Sequence, residues 1–216
     1  MDDDAWDLLR DERLSLARTL TTLSDAQWAT RTLCTEWTVR DVVAHLVMTP
    51  AGEPSLSVMA AATARARGNV WHASRDLTRR AAARQSPGEL VRAVEESAGS
   101  RRRPVFVVDA NILPDVVVHG QDIAVPLGLH RQVPAAVAGV ALSRLWSMGF
   151  PFHARRRLAG VRLCCADGTN WTAGEGPEVS GSAGALALLM TQRTTAALSM
   201  LQGPGVARLE ARLAHA

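Results

Sequence analysis

The apolar rhythm of this chain changes late along its length, and that change constrains the fold more than any other feature. Up to Met148 the apolar side chains recur at helical spacing; after Leu158 they fall into short runs of strand length divided by glycine-rich turns. A helix buries one stripe and a strand buries alternate residues, so the two stretches belong to different architectures. Trp6, Leu9, Leu14, Leu16, Ala17 and Leu20 predict an amphipathic helix over residues 5–23, which Ser24-Asp25 ends. Residues 27–37 read as a loop. Thr38, followed by Arg40 and Asp41, is placed to cap a helix that Thr49-Pro50-Ala51-Gly52 terminates. Residues 55–84 read as one long alanine-rich helix, and Ser86-Pro87-Gly88-Glu89 supplies a cap and an early proline for another over 90–98. Two more follow. One runs from about residue 109 to Pro126-Leu127-Gly128, with Pro114 tolerated in its first turn, and the other covers 134–148. Residues 158–165, 169–173 and 178–180 are β-compatible, 183–190 is helical and 206–213 forms a last short helix. The expected fold is mainly α, a helical bundle over residues 1–150 followed by a small α+β domain over 155–216.

Composition removes several function classes. A chain of 216 residues with 47% hydrophobic and 21% charged residues can bury a full core as a soluble globular protein. No apolar run approaches the ~20 residues of a membrane span. The acidic start Met1-Asp2-Asp3-Asp4 is the opposite of a secretory leader, so the expected location is cytoplasmic with no membrane partner. All 24 basic residues are arginine and tyrosine is absent, which excludes Schiff-base lysine and tyrosine acid–base mechanisms. A net charge of +3 is too small to imply nucleic acid, and Arg101-Arg102-Arg103 and Arg155-Arg156-Arg157 read as solvated helix ends or linkers. Cys34, Cys164 and Cys165 form no CxxC pair; they read as small buried hydrophobes rather than a disulfide or metal framework.

Two short motifs carry chemistry. In Asp115-Val116-Val117-Val118-His119 the acid and the imidazole are four apart, so a helix presents both on one face to a single divalent cation. His45 sits in the apolar run Val42-Val43-Ala44-His45-Leu46-Val47, where an imidazole is either a ligand or a hydrogen-bonded core residue. Two histidines and one carboxylate form the donor set of a catalytic zinc site, since a coordination position stays open for water or substrate. Asp41, one turn before His45, and Asp122, three after His119, are placed to hold an imidazole tautomer. A fourth protein ligand such as His72 or His153 would close the site, but neither has a suitable partner spacing.

Trp28, Cys34 and the run from Glu36-Trp37-Thr38 through His45-Leu46 resemble the entry loop and first ligand helix of the mycothiol-dependent maleylpyruvate isomerase family, within the DinB-like superfamily. Asp115 to Ile123 resembles its second motif, and Trp171-Thr172-Ala173-Gly174-Glu175-Gly176-Pro177 with residues 183–193 resembles its small appended domain. The resemblance implies a DinB-like four-helix bundle that binds a divalent ion, usually zinc, through His45, Asp115 and His119. It implies mycothiol as the thiol cofactor and a small electrophile as substrate, which is isomerised or S-conjugated. An arginine of the C-terminal domain assists catalysis in the family, and Arg193 is the position that fits, although Thr191-Gln192-Arg193 stands where relatives show Gly-Arg. The isomerase also has glutamate where this chain has Asp115, and the shorter acid draws the ion closer to its helix. Cys34 as an internal nucleophile is disfavoured because the family uses an external thiol.

The competing reading is a non-catalytic DinB-like metal-binding or stress-response module. Nucleic-acid binding through the arginine triplets ranks last, because no reading helix or aromatic platform accompanies them. The expected assembly is a monomer or homodimer.

Overall fold

The computed structural model describes residues 1–214. The chain is mainly α with one small sheet, as the sequence predicts, and divides into two compact units, Met1–Ile112 and Leu113–Ala216. Among the described residues, no helix is long and apolar enough to cross a membrane.

The first unit is all helical. It contains α1 (Asp3–Leu20), α2 (Asp25–Trp28), α3 (Val39–Ala51), α4 (Leu56–Arg65), α5 (Val70–Ala83), α6 (Pro87–Glu96) and a 3-10 turn, Asp109–Asn111. α3 packs on α5 and α6, α1 packs on α6, and α4 packs on α5. Leu9, Leu16 and Leu20 of α1 and Leu90 of α6 are fully buried, the stripe that helical spacing requires. Asp2 caps α1, and Ser86 and Glu89 form a reciprocal capping box with Pro87 in the first turn of α6. Arg13 is buried against the far end of α6, where Nη1 donates to the carbonyls of Ser97, Ala98 and Ser100 at 3.3, 3.0 and 2.9 Å. A cation there complements the helix dipole.

Residues 55–84 do not make one helix. Arg67 and Gly68 adopt left-handed φ values of 54° and 85°, and Asn69 then caps α5 by accepting from the His72 amide. A left-handed pair cannot continue a right-handed helix, so alanine-rich propensity yields to a turn.

The second unit begins one residue into α7 (Ile112–Ala124), followed by α8 (Ala135–Ser147), α9 (Ala154–Arg157), β1 (Arg162–Cys165), β2 (Thr172–Gly174), β3 (Glu178–Gly181), α10 (Ala183–Met190), α11 (Thr194–Leu198) and α12 (Val206–Ala214). The sheet order is β2-β1-β3, with β1 antiparallel to β2 and parallel to β3, and buried Leu163 stands opposite buried Val179. The expected strand over 158–165 is shorter because Leu158 caps α9 instead. None of Cys34, Cys164 and Cys165 is in a disulfide, and each is half-buried rather than fully a core residue. Burial, with the neighbouring Glu178 carboxylate second, pushes the Cys164 thiol up, which makes it a poor nucleophile.

Every residue of α10 is buried, and the helix lies against α8, α11 and β1. An all-apolar helix reaches this position only if its ends are satisfied. Ser182 accepts from the Ala185 amide and Asp167 Oδ2 from the Ala183 amide at 2.8 Å. At the other end Arg157 Nη2 donates to the carbonyls of Leu189 and Met190 at 2.9 and 3.1 Å. One member of the second arginine triplet is therefore a helix cap rather than a solvated linker residue.

Candidate metal centre

His45 is placed by a helix whose start is tightly specified. Thr38 accepts from the Asp41 amide while the Asp41 carboxylate accepts from the Thr38 amide and hydroxyl at 2.9 and 2.8 Å. Asp41 is thereby committed to the cap of the helix that carries His45. Val42, Val43, Ala44, Leu46 and Val47 are buried around the half-buried His45. Its ring lies 5.2 Å from that of Trp37, tilted by 44°. Gly52 ends the helix with a left-handed φ of 78°, which a glycine adopts without strain.

Asp115 and His119 share α7, with Asp115 in the first turn as its neighbour Pro114 requires. His119 Nε2 and Asp115 Oδ1 are 3.5 Å apart, and the Asp115 side chain is 40% exposed. That separation is long for a hydrogen bond. It matches two ligands of one tetrahedral ion, whose donor atoms stand about 3.3 Å apart when each bond is about 2.0 Å.

The other ring nitrogen already has a partner. His119 Nδ1 lies 2.9 Å from Oδ2 of Asp122, one turn along and completely buried. Asp122 is itself gripped by Arg193, with Nε on Oδ1 at 2.9 Å and Nη2 on Oδ2 at 2.7 Å. Burial alone would raise the Asp122 pKa, but the bonds from His119 and Arg193 outweigh it and hold the carboxyl below its usual range. An ionised carboxylate only accepts, so Nδ1 carries the hydrogen and Nε2 is the atom turned to a ligand. Burial likewise disfavours the charged His119 ring, yet the Asp115 charge and the Asp122 hydrogen bond prevail and raise its pKa.

Small residues let this helix be approached closely. A Cβ on Gly120 would stand 2.8 Å from Arg131 Nε, and one on Gly184 would stand 2.6 Å from Gln121 Cδ. Gln121 uses its amide to donate to the Arg131 carbonyl at 2.9 Å.

Within the second unit the structure brings Asp115 and His119 together as candidate ligands, while His45 and Cys34 belong to the first unit. Asp122 already accepts from both His119 and Arg193, which commits it to holding the ring rather than to an ion. Sequence spacing points to Asp122 but not to its pairing with Arg193, because the two lie 71 residues apart.

Fold and side chains define a mainly α protein with candidate ligands for a divalent cation. Residues 9–52, which include His45 and its capped helix, match the family model described as the mycothiol maleylpyruvate isomerase N-terminal domain. Over this stretch, about a fifth of its length, the chain is similar to that family's N-terminal domain. Two solved structures, a mycothiol-dependent maleylpyruvate isomerase and a histidine-to-alanine mutant of it, are similar over 94% of this chain and 92% of theirs. Their identities to this chain are 17% and 16%, with a TM-score of 0.47 for each. No curated protein matches the sequence.

Proposed function

We propose that this protein is a divalent-metal enzyme, with zinc as its ion, that uses mycothiol or a similar low-molecular-weight thiol to isomerise or S-conjugate a small electrophile. The ligands are His45, Asp115 and His119. What supports the reading most is the pair on α7. Asp115 and His119 stand at ligand-to-ligand spacing, and the Nδ1 proton of His119 is fixed on Asp122.

A bound divalent ion would supply Lewis acidity, turning a coordinated thiol into its thiolate near neutral pH and polarising a substrate carbonyl. The protein sets the charge balance for this. Two neutral imidazoles and one carboxylate around a divalent cation would leave the complex with one net positive charge, which suits an anionic thiolate better than a site with a second carboxylate ligand would. Asp115 is partly exposed, so its end of α7 is open to solvent and to a small molecule. Asp122 and Arg193 remain behind the ring, away from the ligand nitrogen.

Elemental analysis of the purified protein, with calorimetric titration of mycothiol, tests the reading. About one zinc per chain is expected. His45→Ala and His119→Ala should each lose it, along with thiol-transfer activity, while the helical circular-dichroism signal survives. Full metal retention in both variants refutes the assignment.

A further inference from the structure

We infer that Arg193 is a positioning residue: through the buried carboxylate of Asp122 it locks the His119 ring with Nε2 outward, and it does not bind substrate. This deepens the proposed metal reading and rests on it for its consequence, although the geometry stands without a metal.

The observations converge on the guanidinium. Its Nε and Nη2 are spent on the two oxygens of Asp122, and its Nη1 donates to the Thr191 carbonyl at 2.9 Å. The side chain is only 15% exposed, and Asp122 is not exposed at all. A fork held this way has little left to offer a substrate carboxylate. Because the guanidinium is planar and bidentate, it fixes the plane of the carboxylate, and with it the direction of the Oδ2 lone pair that meets His119 Nδ1. Oδ2 is shared by Arg193 and His119, so rotating either ring or carboxylate breaks a charge-assisted bond in a buried place.

The backbone delivers Arg193 to that point. The Arg193 amide donates to the Leu188 carbonyl at 2.9 Å and the Gln192 amide to the Leu189 carbonyl at 3.3 Å. With Gln192 left-handed at φ 71°, this is a Schellman turn ending α10. The turn sends Arg193 back over α7 rather than out to solvent.

The test uses full-length Arg193→Met, Arg193→Lys and Asp122→Asn with two readouts. Nitrogen-edited NMR of the metal-free protein follows the slowly exchanging Nδ1 proton of His119. Competition with a chromophoric chelator measures the zinc dissociation constant of the same preparations. Arg193→Met and Asp122→Asn should lose the protected Nδ1 proton and weaken zinc binding by about 10- to 100-fold. Arg193→Lys, which keeps a cation on Asp122, should stay within about threefold of wild type. A merely structural arginine would lower thermal stability without moving either readout. Unchanged proton and zinc affinity in Arg193→Met, with turnover abolished, overturns the inference and makes the arginine a substrate ligand. If the wild-type protein binds no zinc, the metal reading fails alone. The proton signal then decides: its loss in Arg193→Met sustains the lock and its persistence overturns it.

Discussion

Gln192→Gly should stabilise this protein, and the expected size follows from the turn that ends α10. Gln192 is exposed and sits at φ 71°, the position after the cap where helices ending in this motif prefer glycine. A residue with a Cβ loses about 1–2 kcal/mol in the left-handed conformation. Glycine recovers that strain but enlarges the unfolded ensemble, which offsets about 0.5–1 kcal/mol. The net gain is about 0.5–1 kcal/mol, or a rise of about 1–4 °C in melting temperature for a chain of this size. Differential scanning calorimetry and urea titration measure it. The two amides of the turn donate from the backbone, so the substitution leaves the hydrogen bonds to Leu188 and Leu189 intact. Turnover should be at least as high as in the parent, because Arg193 is delivered to Asp122 by the same turn. A lower melting temperature would rule out this origin of the gain, since the glutamine side chain would then contribute more than its backbone conformation costs.

Two glycines should respond oppositely to alanine. Nothing lies within 4 Å of the point where a Cβ on Gly139 in α8 would stand, so Gly139→Ala should gain about 1 kcal/mol of helix propensity. Gly184→Ala meets Gln121, and overpacking of about 1–3 kcal/mol outweighs the same gain, so it should destabilise in chemical denaturation; equal effects at the two sites would count against this contrast. The capping box of α6 should titrate. The Ser86 backbone bond holds the Glu89 carboxyl below its reference value of 4.5, so the stabilisation is complete above that pH and is lost as pH falls through the lower folded value. Glu89→Gln keeps the box without the charge, and hydrogen exchange at the start of α6 should then lose its acid dependence.

The sequence makes the helices with strong punctuation legible. Thr38 with Asp41, Ser86 with Pro87 and Gly52 set helix ends that local chemistry alone decides. The all-apolar run of α10 also reads correctly, because nothing in it competes with burial. Residues 66–69 mislead, since six alanines within 60–66 and 73 outvote one Gly68 whose left-handed geometry is what divides α4 from α5. Asp115 and His119 share a face because period 3.6 requires it, and Asp122 behind His119 follows from the same rule. Asp41 behind His45 follows from it equally well, yet the capping box claims that carboxylate. What no spacing rule reveals is Arg193 on Asp122 or Arg157 on the end of α10, contacts that depend on how separate elements meet. Arg13 on the end of α6 is of the same kind.

The proposed chemistry depends on a cation held by two imidazoles and one short carboxylate, with room for a thiol. Zinc X-ray absorption spectra of the loaded protein, recorded before and after mycothiol is added, report that ligand shell atom by atom. A shell of nitrogen and oxygen alone is expected at first, joined by one sulfur when the thiol arrives. A shell that already contains protein sulfur, or one that mycothiol leaves unchanged, would show that the ion is not held or used in this way.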